Sequence, residues 1–391
     1  MASKVVENLA VETGQEIEYC PILLGGVFRS INGPDVPAAH MSPPRAVLNM
    51  KDIHRQAEML GIPLTMPLEH PRRTVSAMRL IVGAPEPRRL AVMKRLFRAY
   101  WVEGLDIADR VVLTRIAEDT GVAIDVIDSP EVKAELFRRT ADAVSCGVFG
   151  VPALGAKGRI WWGVDRVHLL ARAFGGSMRS FPKPPGTPLT GGTVRFFHDF
   201  SSPFSYLAST QIERVARESG AVVEWVPILL GALFREIGTA NAPLLEMNAT
   251  KAQYYAQDMQ DWSQWWAQPF QMTPHFPLRT VLPLRVAILE PKSTNVLYRA
   301  AWVDGVNIGD PDAVCDVLNA SGFDGVALVA GTQQSAVKEA LKHNTAEAIQ
   351  LGCCGVPSFQ INENVLVWGQ DRFDQVTWAL NGWVPQNEKR D

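Results

Sequence analysis

One short segment concentrates the side chains that could do chemistry. Ser202-Pro203-Phe204-Ser205 sets two hydroxyls around a proline and an aromatic residue. Serine followed by proline is the ordinary start of a helix: the serine caps free N–H groups and the proline presets the first helical φ. Read alone, Ser202 needs no other role. A hydroxyl in that position can also donate a hydrogen bond to the sulfur of a bound thiol. Two later motifs carry the same double reading. Val356-Pro357 follows Gly355 and precedes a β-prone run. It is either an ordinary proline at the start of a strand or a cis-proline whose preceding N–H and C=O pair with an extended peptide ligand. Asp371-Arg372 opens the last helix. The carboxylate there either caps that helix or binds an amino group, with Arg372 taking a ligand carboxylate.

Other reactive types argue against competing chemistries. The five cysteines (Cys20, Cys146, Cys315, Cys353 and Cys354) are odd in number and contain no C-x-x-C, which disfavours a disulfide framework or a zinc site. Adjacent Cys353 and Cys354 read as packed thiols, because their repeat counterparts are Val148 and Phe149. His198 and His275 stand alone without ligand spacing, so no metal is expected. The Trp262, Trp265, Trp266 and Phe270 cluster reads as core of a helical region, or as an apolar wall for an aromatic substrate.

The elements that must position these residues come in two copies. When Pro21 is set on Pro227, Pro21-Ile22-Leu23-Leu24-Gly25 repeats as Pro227-Ile228-Leu229-Leu230-Gly231. Phe28-Arg29 then repeats as Phe234-Arg235, and Arg73-Thr74 as Arg279-Thr280. With small indels, Gly150-Val151-Pro152 matches Gly355-Val356-Pro357, and Asp165-Arg166 matches Asp371-Arg372. This is a domain duplication: copies over 1–176 and 193–391, joined by a Pro/Gly-rich linker over 177–192.

In the second copy, Val194–Phe200 reads as a buried strand, Phe204–Ser219 as a helix and Ala221–Pro227 as a second strand parallel to the first. A helical stretch over 251–352 follows. Strands at Ser358–Ile361 and Val365–Trp368 and a helix from Arg372 to Leu380 close the copy. The order βαβ, helical insertion, ββα predicts an α/β, thioredoxin-like fold with an all-α insertion. In such a fold the first strand ends in a C-x-x-C turn, and the helix N-terminus stabilises a thiolate there. Serine in that place excludes thiol–disulfide exchange and implies that the reactive sulfur belongs to a cofactor.

The first copy begins inside its first helix, since Met1 aligns with Leu207. It has no counterpart of the first strand or of the Ser-Pro turn. Such a strand lies inside the sheet, so its loss leaves unpaired backbone on both neighbours. Two explanations fit: Met1 is an internal methionine of a longer frame, or the copy is a truncated, inactive scaffold. The first is preferred, because the rest of the copy reads as intact.

Composition narrows the class further. The chain has 391 residues, 47% hydrophobic and 20% charged, which suits more than one globular domain. A net charge of −3 without a basic block gives no footing for nucleic acid or an anionic membrane. No apolar run approaches the roughly 18 residues of a membrane span. Met1–Gly14 is a charged amphipathic helix pattern and not a signal peptide. The cysteine usage fits a reducing cytoplasm.

Three motifs together resemble a known family. Phe197-His198-Asp199-Phe200-Ser201-Ser202-Pro203-Phe204-Ser205-Tyr206-Leu207-Ala208 is similar to the D-F-x-S-P-[FY]-S-Y-L-A signature of 2-hydroxychromene-2-carboxylate isomerases, which group with kappa-class glutathione transferases in the DsbA-like thioredoxin family. Gly355-Val356-Pro357-Ser358-Phe359 and Trp368-Gly369-Gln370-Asp371-Arg372 are similar to that family's G-V-P-x-F and W-G-Q-D-R motifs. The resemblance implies glutathione as cofactor, with Ser202 beside its sulfur and Val356 with Pro357 against its backbone. It implies Asp371 and Arg372 at the γ-glutamyl end, and Asn241 and Lys251 as further contacts. It implies a ring-opening isomerisation by transient thiol addition, or a related transfer, on an aromatic or unsaturated small molecule. As partners, a second copy in a homodimer or an intramolecular pseudo-dimer of the two copies is a further expectation. Ser201 departs from the family, where leucine is more usual. The alternatives are a disulfide-oxidoreductase relative without redox activity, against which the missing C-x-x-C counts, and a non-catalytic binding or scaffold protein.

Overall fold

The computed structural model describes residues 1–34, 36–185, 187 and 191–388. Part of the expected linker, residues 186 and 188–190, lies outside the described residues, as do the last three residues of the second copy. Two compact units emerge. The first comprises Met1–His40, Ile53–Pro182 and Asn248–Lys251; the second comprises Met41–Asp52, Lys183–Met247 and Ala252–Asp391. Each unit therefore takes in a short segment from the sequence of the other copy.

The first unit contains a two-stranded antiparallel sheet, β1 (Ala153–Ala156) and β2 (Arg159–Trp162), paired Ala153 to Trp162 and Ala156 to Arg159. The helix Ala2–Thr13 buries Val5, Val6 and Leu9 and ends on Gly14 in the left-handed conformation, φ 67°, which glycine adopts without steric cost. The largest core of this unit is helical, built on Leu80, Val92, Leu96, Leu113 and Ile116. One expectation fails here: the rest of the copy is not intact. Gln15–Pro21, the counterpart of the parallel strand Ala221–Pro227, has no strand structure. Among the described residues its backbone has no neighbouring strand to pair with, and a strand exists only as part of a ladder.

The second unit carries the complete sheet. Its strands are β3 (Thr193–His198), β4 (Val222–Pro227), β5 (Ser358–Ile361) and β6 (Val365–Trp368), in the spatial order β4-β3-β5-β6. β3 is interior: parallel to β4, with Phe196 opposite Trp225, and antiparallel to β5, with Phe196 opposite Phe359. Alternation sends successive side chains of β3 to opposite faces. Val194 and Phe196 join a core with Ile212, Phe359, Val376 and Leu380, roofed by the helices Pro203–Glu218 and Phe373–Leu380. Phe197 points the other way, into a core with Ile228, Leu233 and Val356. The helical insertion runs from Ala249–Trp265 to Ser335–Gln350. Both sheet faces are covered, which is why β3 is fully buried over Phe196–His198. No helix among the described residues is long and apolar enough to cross a membrane.

Candidate functional site

The site grows out of the end of β3. The chain leaves the strand at His198, turns through Asp199-Phe200-Ser201 and enters the 16-residue helix Pro203–Glu218 with Ser202 as N-cap. Ser202 has extended φ and ψ of −102° and 118°, and its Oγ accepts the Ser205 N–H at 3.2 Å. The capping role read from the sequence is therefore present. The same hydroxyl also donates to the Val356 carbonyl at 3.2 Å. That contact joins the end of β3 to the loop before β5, where the Val356–Pro357 peptide is cis. Gly355 is needed beside it. A Cβ there would lie 2.9 Å from Trp368 Nε1, so any side chain would displace the indole or the loop.

The turn is braced from below by Asp199, which is 1% exposed. Its carboxylate accepts the Ser201 N–H at 2.9 Å and the Leu230 N–H at 2.8 Å, tying the turn to the helix after β4. Burial raises its pKa, and these backbone donors oppose that rise. Trp302 Nε1 donates to the Phe200 carbonyl at 2.9 Å. His198 lies under the turn, fully buried, with Nδ1 3.1 Å from the Tyr298 hydroxyl. Burial pulls its pKa down to about 3, so the imidazole is neutral at physiological pH. The same burial raises the Tyr298 phenol well above its ordinary value. His198 and Tyr298 hold the turn, and neither titrates near neutrality.

Asp371 and Arg372 lie in a 3₁₀ turn, Gln370–Arg372, leading into the helix Phe373–Leu380. The Asp371 carboxylate sits over Gly369, whose φ is 111°, and its Oδ1 is 3.1 Å from Arg372 Nη1. The N-cap of the last helix is Arg372, without a side-chain cap. Arg372 forms a two-pronged pair with Asp52, Nε to Oδ1 at 2.9 Å and Nη2 to Oδ2 at 3.0 Å. Gln375 also donates to Asp52.

Ser202, Asn241, Val356, Pro357, Asp371 and Arg372 all belong to the second unit. Asn241 is exposed, with its amide oxygen over Gly231. Lys251 instead belongs to the first unit, where its N–H caps onto Asn248 Oδ1 at 3.0 Å. At the repeat position of Lys251 the second unit has Arg45, which stands 5.5 Å over the Trp368 ring. Sequence reasoning missed Arg45 and Asp52. Their signal was in the repeat: Arg45 aligns with Lys251 and Asp52 with Asp258.

The tryptophan cluster and the adjacent thiols pack in the second unit. Trp262 is buried against Trp266, ring centres 4.7 Å apart, and Trp266 meets Phe373 at 5.8 Å. Cys353 and Cys354 are buried, and burial pushes both thiols up to about 12. They are neither nucleophiles nor a redox pair in that state. Among the described residues, no cluster of three metal-ligating side chains occurs.

Such an arrangement can accept a thiol without supplying one. Ser202 offers a hydroxyl proton at the positive end of a helix of more than four turns. The backbone beside cis-Pro357 offers an edge for an extended peptide. Asp371 and Arg372 offer charge in the turn that follows β6.

Known proteins of one family resemble this chain. A family model described as a DSBA-like thioredoxin domain matches twice, over residues 1–175 and 193–381. A 2-hydroxychromene-2-carboxylate isomerase of Pseudomonas putida is 25% identical over 198 residues, covering 50% of this chain and 97% of the relative. Glutathione S-transferase kappa 2 of Caenorhabditis elegans is 28% identical over 202 residues, 47% of this chain and 89% of the relative. Among solved structures, a 2-hydroxychromene-2-carboxylate isomerase covers 50% of this chain and 97% of its own, at 24% identity and a TM-score of 0.45.

Proposed function

We propose, from the premise that this chain belongs to the DSBA-like thioredoxin family, that it is a glutathione-dependent isomerase or transferase acting on an aromatic or unsaturated small molecule. The observation that carries the proposal is the Ser202 hydroxyl. It stands where the fold places a reactive cysteine, caps the helix, and faces the Val356 carbonyl at 3.2 Å beside a cis-proline. The relatives named as isomerases and kappa-class transferases support the reaction class.

The residues present fit a γ-glutamyl tripeptide. Ser202 would meet the sulfur, Val356 and Pro357 the backbone, and Asp371 the amino group. Arg45, Arg372 and Asn241 provide polar and cationic groups toward its carboxylates. Lys251, expected as a further contact, lies in the first unit. When bound, glutathione supplies the nucleophilic thiol that this chain lacks at the turn. Ser202 lowers the cost of the ionised sulfur by rotating its proton away from the Val356 carbonyl, while its lone pair keeps the Ser205 N–H. The helix N-terminus adds a fixed partial positive charge, worth about 0.3–1 kcal/mol at an exposed site and up to about 2 kcal/mol in a partly buried one. Asp199 and Trp302 keep the turn from relaxing as charge develops. Exposed, unpaired Cys20 and Cys146 are compatible with a reducing compartment.

Titration calorimetry with reduced glutathione tests the proposal. Saturable binding by the wild type, weakened in Ser202→Ala, is the expected result. Absence of binding by the wild type overturns it. Unchanged affinity in Ser202→Ala with lost turnover places Ser202 in the chemistry alone.

A further inference from the structure

The helical insertion of the second unit holds a cavity of about 440 Å³, lined by His275, Pro277, Arg279, Asn307, Asp310 and Pro311. None of the residues read as glutathione contacts is among them. No hydrogen bond or ion pair among the described residues engages the Arg279 guanidinium or the His275 ring. The walls, in contrast, are held by their own bonds. Asn307 Oδ1 accepts the Gly309 N–H at 3.2 Å, which leaves the amide NH₂ for a ligand. Asp310 Oδ1 accepts the Asp312 N–H at 3.0 Å and caps the helix Pro311–Ala320. Gly309 lets this turn close on Arg279: a Cβ there would lie 3.1 Å from the Arg279 Cβ and 3.1 Å from its carbonyl oxygen.

The equivalent place in the first unit is occupied by its own charges. Arg279 and Asp310 have the counterparts Arg73 and Asp109, but His275 stands for Glu69, Leu278 for Arg72 and Asn307 for Asp106. There Arg72 pairs with Glu69, and with Asp106 at 3.2 Å. The second unit keeps the arginine at 279 and lacks both carboxylates and the cation that they neutralise. Asp106 Oδ1 also accepts the Ala108 N–H at 2.9 Å, the same turn bond that Asn307 makes. Asparagine in place of aspartate thus keeps the turn and removes only its charge.

We infer that this cavity binds a small organic monocarboxylate. A guanidinium without an internal partner takes a carboxylate in two parallel hydrogen bonds. The Asn307 amide and the His275 ring add hydrogen-bonding groups beside it. Asp310, with Asp312 in the first turn of the next helix, disfavours a dianion such as phosphate. The rings of Pro277 and Pro311 supply apolar wall for a compact body, and the volume lies in the range of small-molecule sites. This inference is independent of the glutathione reading.

Sodium benzoate is the probe, titrated into the full chain at constant ionic strength and without glutathione. The His275 ring is followed by NMR of histidine-labelled protein, its signal identified with His275→Asn. A saturable shift of that signal is expected. Arg279→Gln should weaken benzoate by about tenfold or more, because a charged hydrogen-bonding partner is lost. Asn307→Asp, which keeps the turn bond and restores the charge of the first unit, should weaken it by a smaller factor. No saturable shift in the wild type, or equal affinity in Arg279→Gln, overturns the inference. So does inorganic phosphate that saturates as tightly as benzoate, since the cavity would then read charge alone. Glutathione affinity should be unchanged in Arg279→Gln. Its loss there would make the cavity part of the thiol site and also overturn the inference.

Discussion

The two copies differ most where their sequences are most alike. Glu18-Tyr19-Cys20-Pro21-Ile22-Leu23-Leu24-Gly25 and Glu224-Trp225-Val226-Pro227-Ile228-Leu229-Leu230-Gly231 match at six of eight positions. One contains the end of a parallel strand and the other none. Burial alternates alike in both through Glu18/Glu224 and Tyr19/Trp225, then separates: Val226 is 2% exposed and Cys20 is exposed. The local pattern is thus retained without the ladder. What distinguishes them is β3, the parallel neighbour that pairs with β4 in the second unit. A parallel strand is a property of its neighbours as much as of its own residues.

Core substitutions at equivalent positions should break the comparison most sharply. Phe359 is fully buried between β3 and β6, so Phe359→Ala should cost about 3–5 kcal/mol. Its counterpart Leu154 is half-buried on the open strand, and Leu154→Ala should cost about 1 kcal/mol. Denaturant unfolding of each variant measures both. Equal costs would mean that β1 is covered as β5 is.

Acid should separate the copies next. His198 has a pKa near 3 in the folded state against an ordinary value of 6.5, and it is fully buried. Between those values the unfolded chain binds a proton that the folded one does not. Stability from the neutral imidazole is therefore full above about pH 6.5 and falls as pH drops toward 3, by up to about 1.4 kcal/mol per pH unit. His198→Phe should flatten that acid limb, even though it forfeits the Tyr298 hydrogen bond at neutral pH. An unchanged acid limb in the variant would assign the loss to carboxylates elsewhere.

A smaller effect is expected for Arg372 and Asp52. Their side chains are 17% and 23% exposed and the pair is two-pronged, so a double-mutant cycle with Arg372→Met and Asp52→Asn should give a coupling of about 1 kcal/mol. Glutathione affinity on the same variants adds a second reading. If Arg372 serves the ligand as well as Asp52, Asp52→Asn should alter affinity without removing it.

Much of this was legible. Alternation and turn residues marked β5 and β6 to the residue, and Ser-Pro marked the helix start at Pro203 because capping and a preset φ are local effects. The interior place of β3 followed from the fold type. What could not be read was nonlocal. That Lys251 packs in the first unit and Arg45 in the second follows from tertiary contacts, which no window of sequence contains. The buried pair of His198 and Tyr298 joins residues on a strand and on an insertion helix, so a lone histidine gave no hint of its partner.

The smallest stability effect decides the most about Ser202. Capping alone predicts that Ser202→Ala loses about 1 kcal/mol, because the Ser205 N–H is left without its acceptor in a buried place. Glycine is tolerated at an N-cap, so Ser202→Gly should lose only a few tenths of a kcal/mol. Stability and ligand binding are then separable. If Ser202 only starts a helix, Ser202→Gly should retain whatever the wild type binds and turns over. If its hydroxyl serves a bound sulfur, Ser202→Gly should keep its fold and lose glutathione-dependent turnover as fully as Ser202→Ala does. Retained turnover in the glycine variant would return Ser202 to the role of a helix cap.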